Sequence, residues 1–296
     1  SLSGWSIHAL LLPYLEQKVL QANIDYTRSY NVAPNVALAD GTTAKLSSMR
    51  VPTFVSPGNP RDEARLEAGV ATHYPVDYAV NLGTFFVWDP TTGEGGSGIA
   101  YPNSKVKAAH IQDGLSYTMF FAEVKSWQPY YRNSGRSTAD LSGALGAALD
   151  PITAHNPDPT TGLTGLLTTL NGGALASGNF KTNSGHTEWV DGRAHQIGFT
   201  SSLTPNTPVL HNQGGVVYDV DWTNWQEGKD RGPGAGSVST TPTYAVVTAR
   251  SFFQGGVNVV MADGSVKWVD NTVELPIWRA YSTRAGQELI PPAKQL

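Results

Sequence analysis

Two imidazoles and a carboxylate are the residues with the sharpest chemical meaning. In His186-Thr187-Glu188-Trp189-Val190-Asp191-Gly192-Arg193-Ala194-His195-Gln196-Ile197, an Asp-Gly pair sits among alternating residue types. Such a pair is the strongest short-range hairpin signal, because a type I′ turn needs positive φ at both central residues. With Asp191-Gly192 as the turn, Val190 falls opposite Arg193, Glu188 opposite His195 and His186 opposite Ile197. His186, Glu188 and His195 then share a face, and two imidazoles with a carboxylate can supply the three protein ligands of a catalytic zinc. The same spacing describes an ordinary cross-strand Glu–His pair with Trp189 turned into the core, and this is the heavier reading. A slip of one residue would scatter the cluster.

Asp219 and Asp221 lie two apart in Val217-Tyr218-Asp219-Val220-Asp221. On a strand their carboxylates face the same way, as calcium or an acid/base pair would require, but no neighbouring residue fixes either role. Trp222 and Trp225 could stack on a sugar, although tryptophans at this spacing more often anchor a loop to a sheet. A second Asp-Gly pair, Asp263-Gly264, divides Val257 to Val269. A two-residue turn there pairs Val259 with Trp268 and Met261 with Val266, giving an apolar face of Val257, Val259, Met261, Val266 and Trp268. The opposite face, Asn258, Val260, Lys267 and Val269, is half apolar, which predicts a hairpin inside a sheet rather than at its edge. Asp263 could ligate calcium or act as a general acid, but an Asp in such a turn ordinarily serves the backbone.

Other chemistries lack their signatures. The pairs Gly95-Gly96, Gly214-Gly215 and Gly255-Gly256 are not phosphate loops, and neither a nucleophile elbow nor a His-Glu-x-x-His helix occurs. The absence of cysteine removes disulfides, thiolate zinc sites and a Cys nucleophile. A net charge of -4, with no basic cluster, argues against nucleic acid.

The elements that must position these residues are predicted to be mostly strands. Hydrophobic residues make up 40% and charged ones 15%, with 31 Gly and 19 Pro between short apolar runs, a pattern of many strands and turns. Low charge with abundant Thr, Ser, Asn and Gly resembles exported β-proteins. The 296 residues suit one large domain or two modest ones. A short helix is expected from Pro13 to Gln21, a strand from Tyr74 to Trp88, and an exposed loop from Asp89 to Gly98. A turn at Asp113-Gly114 leads into a buried strand ending near Val124. Ser134 to Asn179 reads as a mixed insertion, Gly228 to Pro242 as a loop, and Pro276 as the start of a closing helix. No run approaches the roughly 20 apolar residues of a membrane span. Ser1 falls inside what reads as a packed element, so a targeting segment is expected ahead of it.

Several blocks together resemble a known family. Trp5 to Gln17, Val51 to Pro57, Ile111 to Glu123, Asn183 to Arg193, Ser251 to Val266 and the Trp278 to Gly286 tail are similar to segments of the planctomycete prepilin-like proteins of domain-of-unknown-function family number 1559. The resemblance implies a pilin-like α+β fold: a single domain over 1–296, a helix remnant at 1–22 packed on an antiparallel sheet, long loops, and an insertion at 134–179. It also implies export and membrane contact only through an N-terminal helix absent here, and it supplies no reaction. Asp113, Gly114, Asp191, Gly192, Gly255, Gly256, Asn258, Asp263 and Gly264 become a structural motif. Two positions depart from the pattern: Ser56 stands where the family has Cys, and Phe253 where it has His. The expectation is therefore a non-enzymatic, pilin- or pseudopilin-like structural protein of the cell surface or exterior. It is expected to bind no cofactor and to assemble as a homo-oligomer, filament or surface layer. A carbohydrate-binding or carbohydrate-cleaving protein (Trp222, Trp225, Asp219, Asp221) is the first alternative. A metalloprotein built on His186, Glu188 and His195 is the second.

Overall fold

The computed structural model describes residues 4–32, 34–134, 163–172, 178–225, 227 and 241–296. Among these lie five short α-helices and sixteen strands. Two five-stranded sheets organise them. Their ten strands are β1 (Tyr78–Asn81), β2 (Phe86–Trp88), β3 (Met119–Glu123), β4 (Gln128–Arg132), β5 (Asn179–Gly185), β6 (Gly198–Phe199), β7 (Asp221–Thr223), β8 (Thr243–Val246), β9 (Gly256–Met261) and β10 (Val266–Asp270). The first sheet has the order β6-β1-β3-β9-β10 and the second β2-β8-β7-β4-β5. Each contains one parallel pair, β6 with β1 and β7 with β4. The remaining strands form three two-stranded ribbons.

This overturns the pilin-like expectation. The residues that should hold a helix on a sheet instead form α1 (Ile7–Leu11), a 3-10 turn at Leu12–Leu15 and α2 (Lys18–Gln21). Pro13 stands in the first positions of the 3-10 turn, and Glu16 adopts a left-handed φ of 59° that ends it. A proline blocks a helical hydrogen bond from its missing N–H, so continuity through this segment is lost. The expected Pro13–Gln21 helix is therefore absent, and the sheets are mixed rather than purely antiparallel.

The strand expected from Tyr74 to Trp88 is split. At the end of β1 the fully buried Asn81 donates to the carbonyls of Met119 and Ser282 and accepts the Gly83 N–H. The chain there leaves the first sheet and enters the second as β2. Gly83 has φ +100°, and a Cβ on it would lie 2.5 Å from Gly98 N. Gly96 and Gly98 are packed against Phe86 and Gly83, so the second half of the expected Asp89–Gly98 loop is structured. The buried strand after Asp113-Gly114 is β3. Of the 134–179 insertion, α3 (Thr164–Asn171) is described, with Leu166 and Leu170 buried; most of that segment and of Gly228–Pro242 lies outside the described residues. The closing helix forms as α5 (Leu275–Ala280), with α4 (Ala194–Ile197) before it in the chain.

The two Asp-Gly pairs behave differently from the expectation. Asp263-Gly264 does close a hairpin, β9–β10, but Asn258 pairs with Trp268 and Val260 with Val266. Ala262, Asp263 and Gly264 form a three-residue connection in which Gly264 takes φ +87° and Met261 N–H reaches Ser265 O. One extra loop residue slips the register by one and turns β10 over. Val257, Val259, Met261 and Val269 are buried, whereas Val266 (65%) and Trp268 (46%) are exposed. β10 is also a sheet edge rather than an interior strand. At Asp191-Gly192 no hairpin forms. The turn spans Glu188 to Asp191, closed by Asp191 N–H to Glu188 O, and α4 follows directly. Asp191 captures the Arg193 side chain and its N–H, while the Gln196 side chain takes the Thr187 and Glu188 N–H groups a partner strand would have used.

Candidate functional site

Three of the residues singled out for chemistry, His186, Asp219 and Asp221, meet at one polar centre where β5 ends, α4 turns and β7 begins. His186 follows β5 with a left-handed φ of 54°, which turns its ring toward β7. Its Nε2 lies 3.1 Å from Asp221 Oδ2 and its Nδ1 3.0 Å from Gln196 O. Both ring nitrogens thus face oxygen acceptors, and both contacts are hydrogen bonds only when each nitrogen carries a proton. Asp221 is fully buried. Its Oδ1 accepts from Arg250 Nη1 at 2.5 Å, and Arg250 Nη2 reaches Asp219 Oδ1 at 2.8 Å. Burial pushes the Asp221 carboxyl up, but Arg250 and the His186 donor outweigh it and hold it below its ordinary value. His186, Asp221, Arg250 and Asp219 form a closed relay in which the cation between the two carboxylates is the protein's own.

Glu188 and His195 do not join it. Glu188 points to the ribbon formed by Arg65–Glu67 and Val70–His73, where Arg65 Nη1 donates to it at 2.5 Å. His195 is buried against Tyr130, ring centroids 4.6 Å apart, and neither ring nitrogen has a hydrogen-bond partner. Burial, reinforced by Arg193, lowers its pKa well below the ordinary value, so the ring is neutral. Among the described residues no group of three or more His, Asp or Glu side chains is arranged to hold a metal ion. Trp222 is fully buried, stacked on Phe85 and donating to Ser134 Oγ at 2.6 Å; Trp225 is buried too. The structural-motif residues serve turns and backbone contacts, some of them between distant segments. Asp113 accepts the Gly286 and Gln287 N–H groups at 2.8 and 2.7 Å, and Gly114 takes φ +99°. Gly255 takes φ +95°, and a Cβ on Gly256 would sit 2.2 Å from Val269 O. Asn258 N–H donates to Glu123 Oε2 at 2.8 Å, and the exposed Asp263 caps the Ser265 N–H at 2.9 Å.

Two charged residues the sequence reading passed over complete the picture. Arg250 stands in the apolar run Ala245 to Phe253; a charge so placed is buried only with a partner, and that was the available signal. Glu227, with φ 51°, lies beside the start of α4, its Oε1 accepting Ala194 N–H at 3.0 Å. Its other oxygen, Oε2, is shut off from solvent without a partner. Burial pushes this carboxyl up to about 8. Glu227 also stands on the wall of a cavity of about 550 Å³ whose other walls come from α1, β1 and the 99–111 segment.

The described residues thus form a strand-rich fold of two mixed sheets that buries the Asp221–Arg250 ion pair, with Asp219 at its half-exposed end. Residues 1–275 match the family described as a protein of unknown function, DUF1559, and the chain belongs to that family. No curated protein and no solved structure matches it.

Proposed function

We propose that this chain is a non-enzymatic building block of the cell surface or extracellular space that associates with further copies of itself. The observation that carries the reading is the edge strand β10, which among the described strands pairs with β9 alone and leaves Val266 and Trp268 exposed. An edge strand with outward apolar side chains is the kind of surface on which another chain adds. Two features of the interior support it. The conspicuous acid and base groups, Asp219, Asp221, His186 and Arg250, satisfy one another. Trp222 and Trp225, being buried, provide no aromatic floor for a sugar.

Sedimentation velocity from low-micromolar to near-millimolar protein tests the association. The expected outcome is reversible self-association that Val266→Lys and Trp268→Lys abolish, both positions being exposed enough to leave the fold intact. A wild-type monomer throughout that range refutes it. Placement at the surface is checked separately, by protease accessibility of the protein on intact cells.

A further inference from the structure

The cavity walled by α1, β1 and the 99–111 segment, of about 550 Å³, lies within the roughly 300–1,000 Å³ of small-molecule sites. Its lining changes character from the inside outward. The buried residues on it, Val80, Leu82, Val87, Ile99, Ala194 and Ile197, are all apolar. At the mouth stand the exposed Leu10, Asn103, Lys107 and Ala108. Lys107 is the one cation on the wall among the described residues, and it forms no ion pair with any of them. Glu227 is the one acid. Its Oε1 accepts the Ala194 N–H and its Oε2 is shut off from solvent, so the carboxyl offers the cavity no free oxygen. Burial also pushes it up to about 8, which leaves little negative charge there at neutral pH.

An apolar interior behind a cationic mouth makes two separate demands on an occupant. The interior rewards hydrocarbon, since each methylene taken out of water strengthens binding roughly three- to fourfold. The ammonium of Lys107, reaching water from a flexible stem, attracts an anion that stops at the mouth. A neutral molecule would leave that charge unused, and a cationic one would be repelled by it. A compact, many-charged anion would have nothing to place against the apolar wall. We infer that this cavity binds a single-chain amphiphile with an anionic head group, its alkyl chain among Val80, Leu82, Val87 and Ile197 and its head on Lys107. The site rests neither on the β10 edge nor on self-association.

The probe is decanoate, titrated by calorimetry into the purified protein at neutral pH. Saturable binding of one molecule per chain is expected, weakening about threefold for each methylene removed through nonanoate and octanoate. Decylammonium, the same chain with the opposite charge, should bind about fivefold more weakly, the difference one partly exposed ion pair makes. Lys107→Glu should reverse that order, and added salt should shrink it. Ala108→Trp, at an exposed position on the mouth, should weaken both ligands about tenfold by keeping about two methylenes out. Thermal melts of each variant separate loss of binding from loss of fold, and the chain-length series on the unaltered protein keeps the test valid if a variant is unstable. Absence of saturable decanoate binding overturns the proposal. So does an affinity indifferent to chain length, a preference for decanoate that persists in folded Lys107→Glu, or binding that folded Ala108→Trp leaves unchanged.

Discussion

Replacing Arg250 by methionine tests whether the central relay is the closed unit described above. The side chain is buried and donates through Nη1 to Asp221 and through Nη2 to Asp219, with a further contact from Nη1 to Thr248 O at 3.1 Å. Methionine fills much of the volume and supplies none of the donors. Asp221, fully buried, keeps only its contact with His186. Removing one partner of a buried pair leaves an uncompensated charge and costs about 3–5 kcal/mol. For a chain of this size roughly 2 °C of melting temperature accompanies each kcal/mol, so a fall of about 6–10 °C is expected. The dependence on pH carries more information than the size. The Asp221 carboxyl is held below its ordinary value in the folded state, so its contribution is present above the unfolded pKa and is lost as pH falls through the folded one. In Arg250→Met the desolvated carboxyl has lost its main counter-charge and favours its proton. The gap between variant and wild type should thus be widest near neutral pH and shrink in acid. Urea denaturation at about pH 7 and about pH 4 reads it. A destabilisation below about 1 kcal/mol, or one equal at both values, would refute the account.

Other changes have equally definite outcomes. Gly83→Ala combines a left-handed backbone with a Cβ 2.5 Å from Gly98 N and should cost more than about 2 kcal/mol, seen as a lower urea midpoint. Phe253→His introduces the residue that the family resemblance leads one to expect there; because Phe253 is 46% exposed, the melting temperature should move by no more than about 1 °C. Glu227 has a folded pKa raised from 4.5 to about 8, so its folded state holds a proton the unfolded chain releases. Stability from this group is full below the unfolded value and declines as pH rises toward 8. Glu227→Gln should flatten that decline in denaturant titrations at successive pH values; an unchanged slope would mean the carboxyl is ionised in the fold.

The sequence was informative wherever a local rule met no competitor. The β3 strand, the β9–β10 hairpin and the α5 start at Pro276 follow from apolar runs and turn chemistry alone. The hairpin's register did not, because Asp263-Gly264 serves a two-residue or a three-residue turn equally well and the choice decides which face of β10 is buried. Asp191-Gly192 misled for a different reason: Arg193 satisfies Asp191, and Gln196 satisfies the strand's amides, so side chains replaced a partner strand. The relay's carboxylates were visible as Asp219 and Asp221, and its imidazole as His186. Their common partner Arg250 was not, since nothing local links positions so far apart in the chain. Glu227 gave no sign of itself, its environment being made by α4 and by segments remote in sequence.

The interleaving of the two sheets has a consequence for how the chain reaches its fold. β1, β3 and β6 belong to one sheet and β2, β4 and β5 to the other, so the growing polypeptide passes back and forth between them. The first sheet spans residues 78 to 270 and the second 86 to 246, and neither is complete until most of the chain has emerged. Loops of such length must close before their pairings contribute, which places folding toward the slow end of the millisecond-to-second scale and beyond. Until β9 arrives, β3 has an open side, a window in which an early-made strand can pair with the wrong chain.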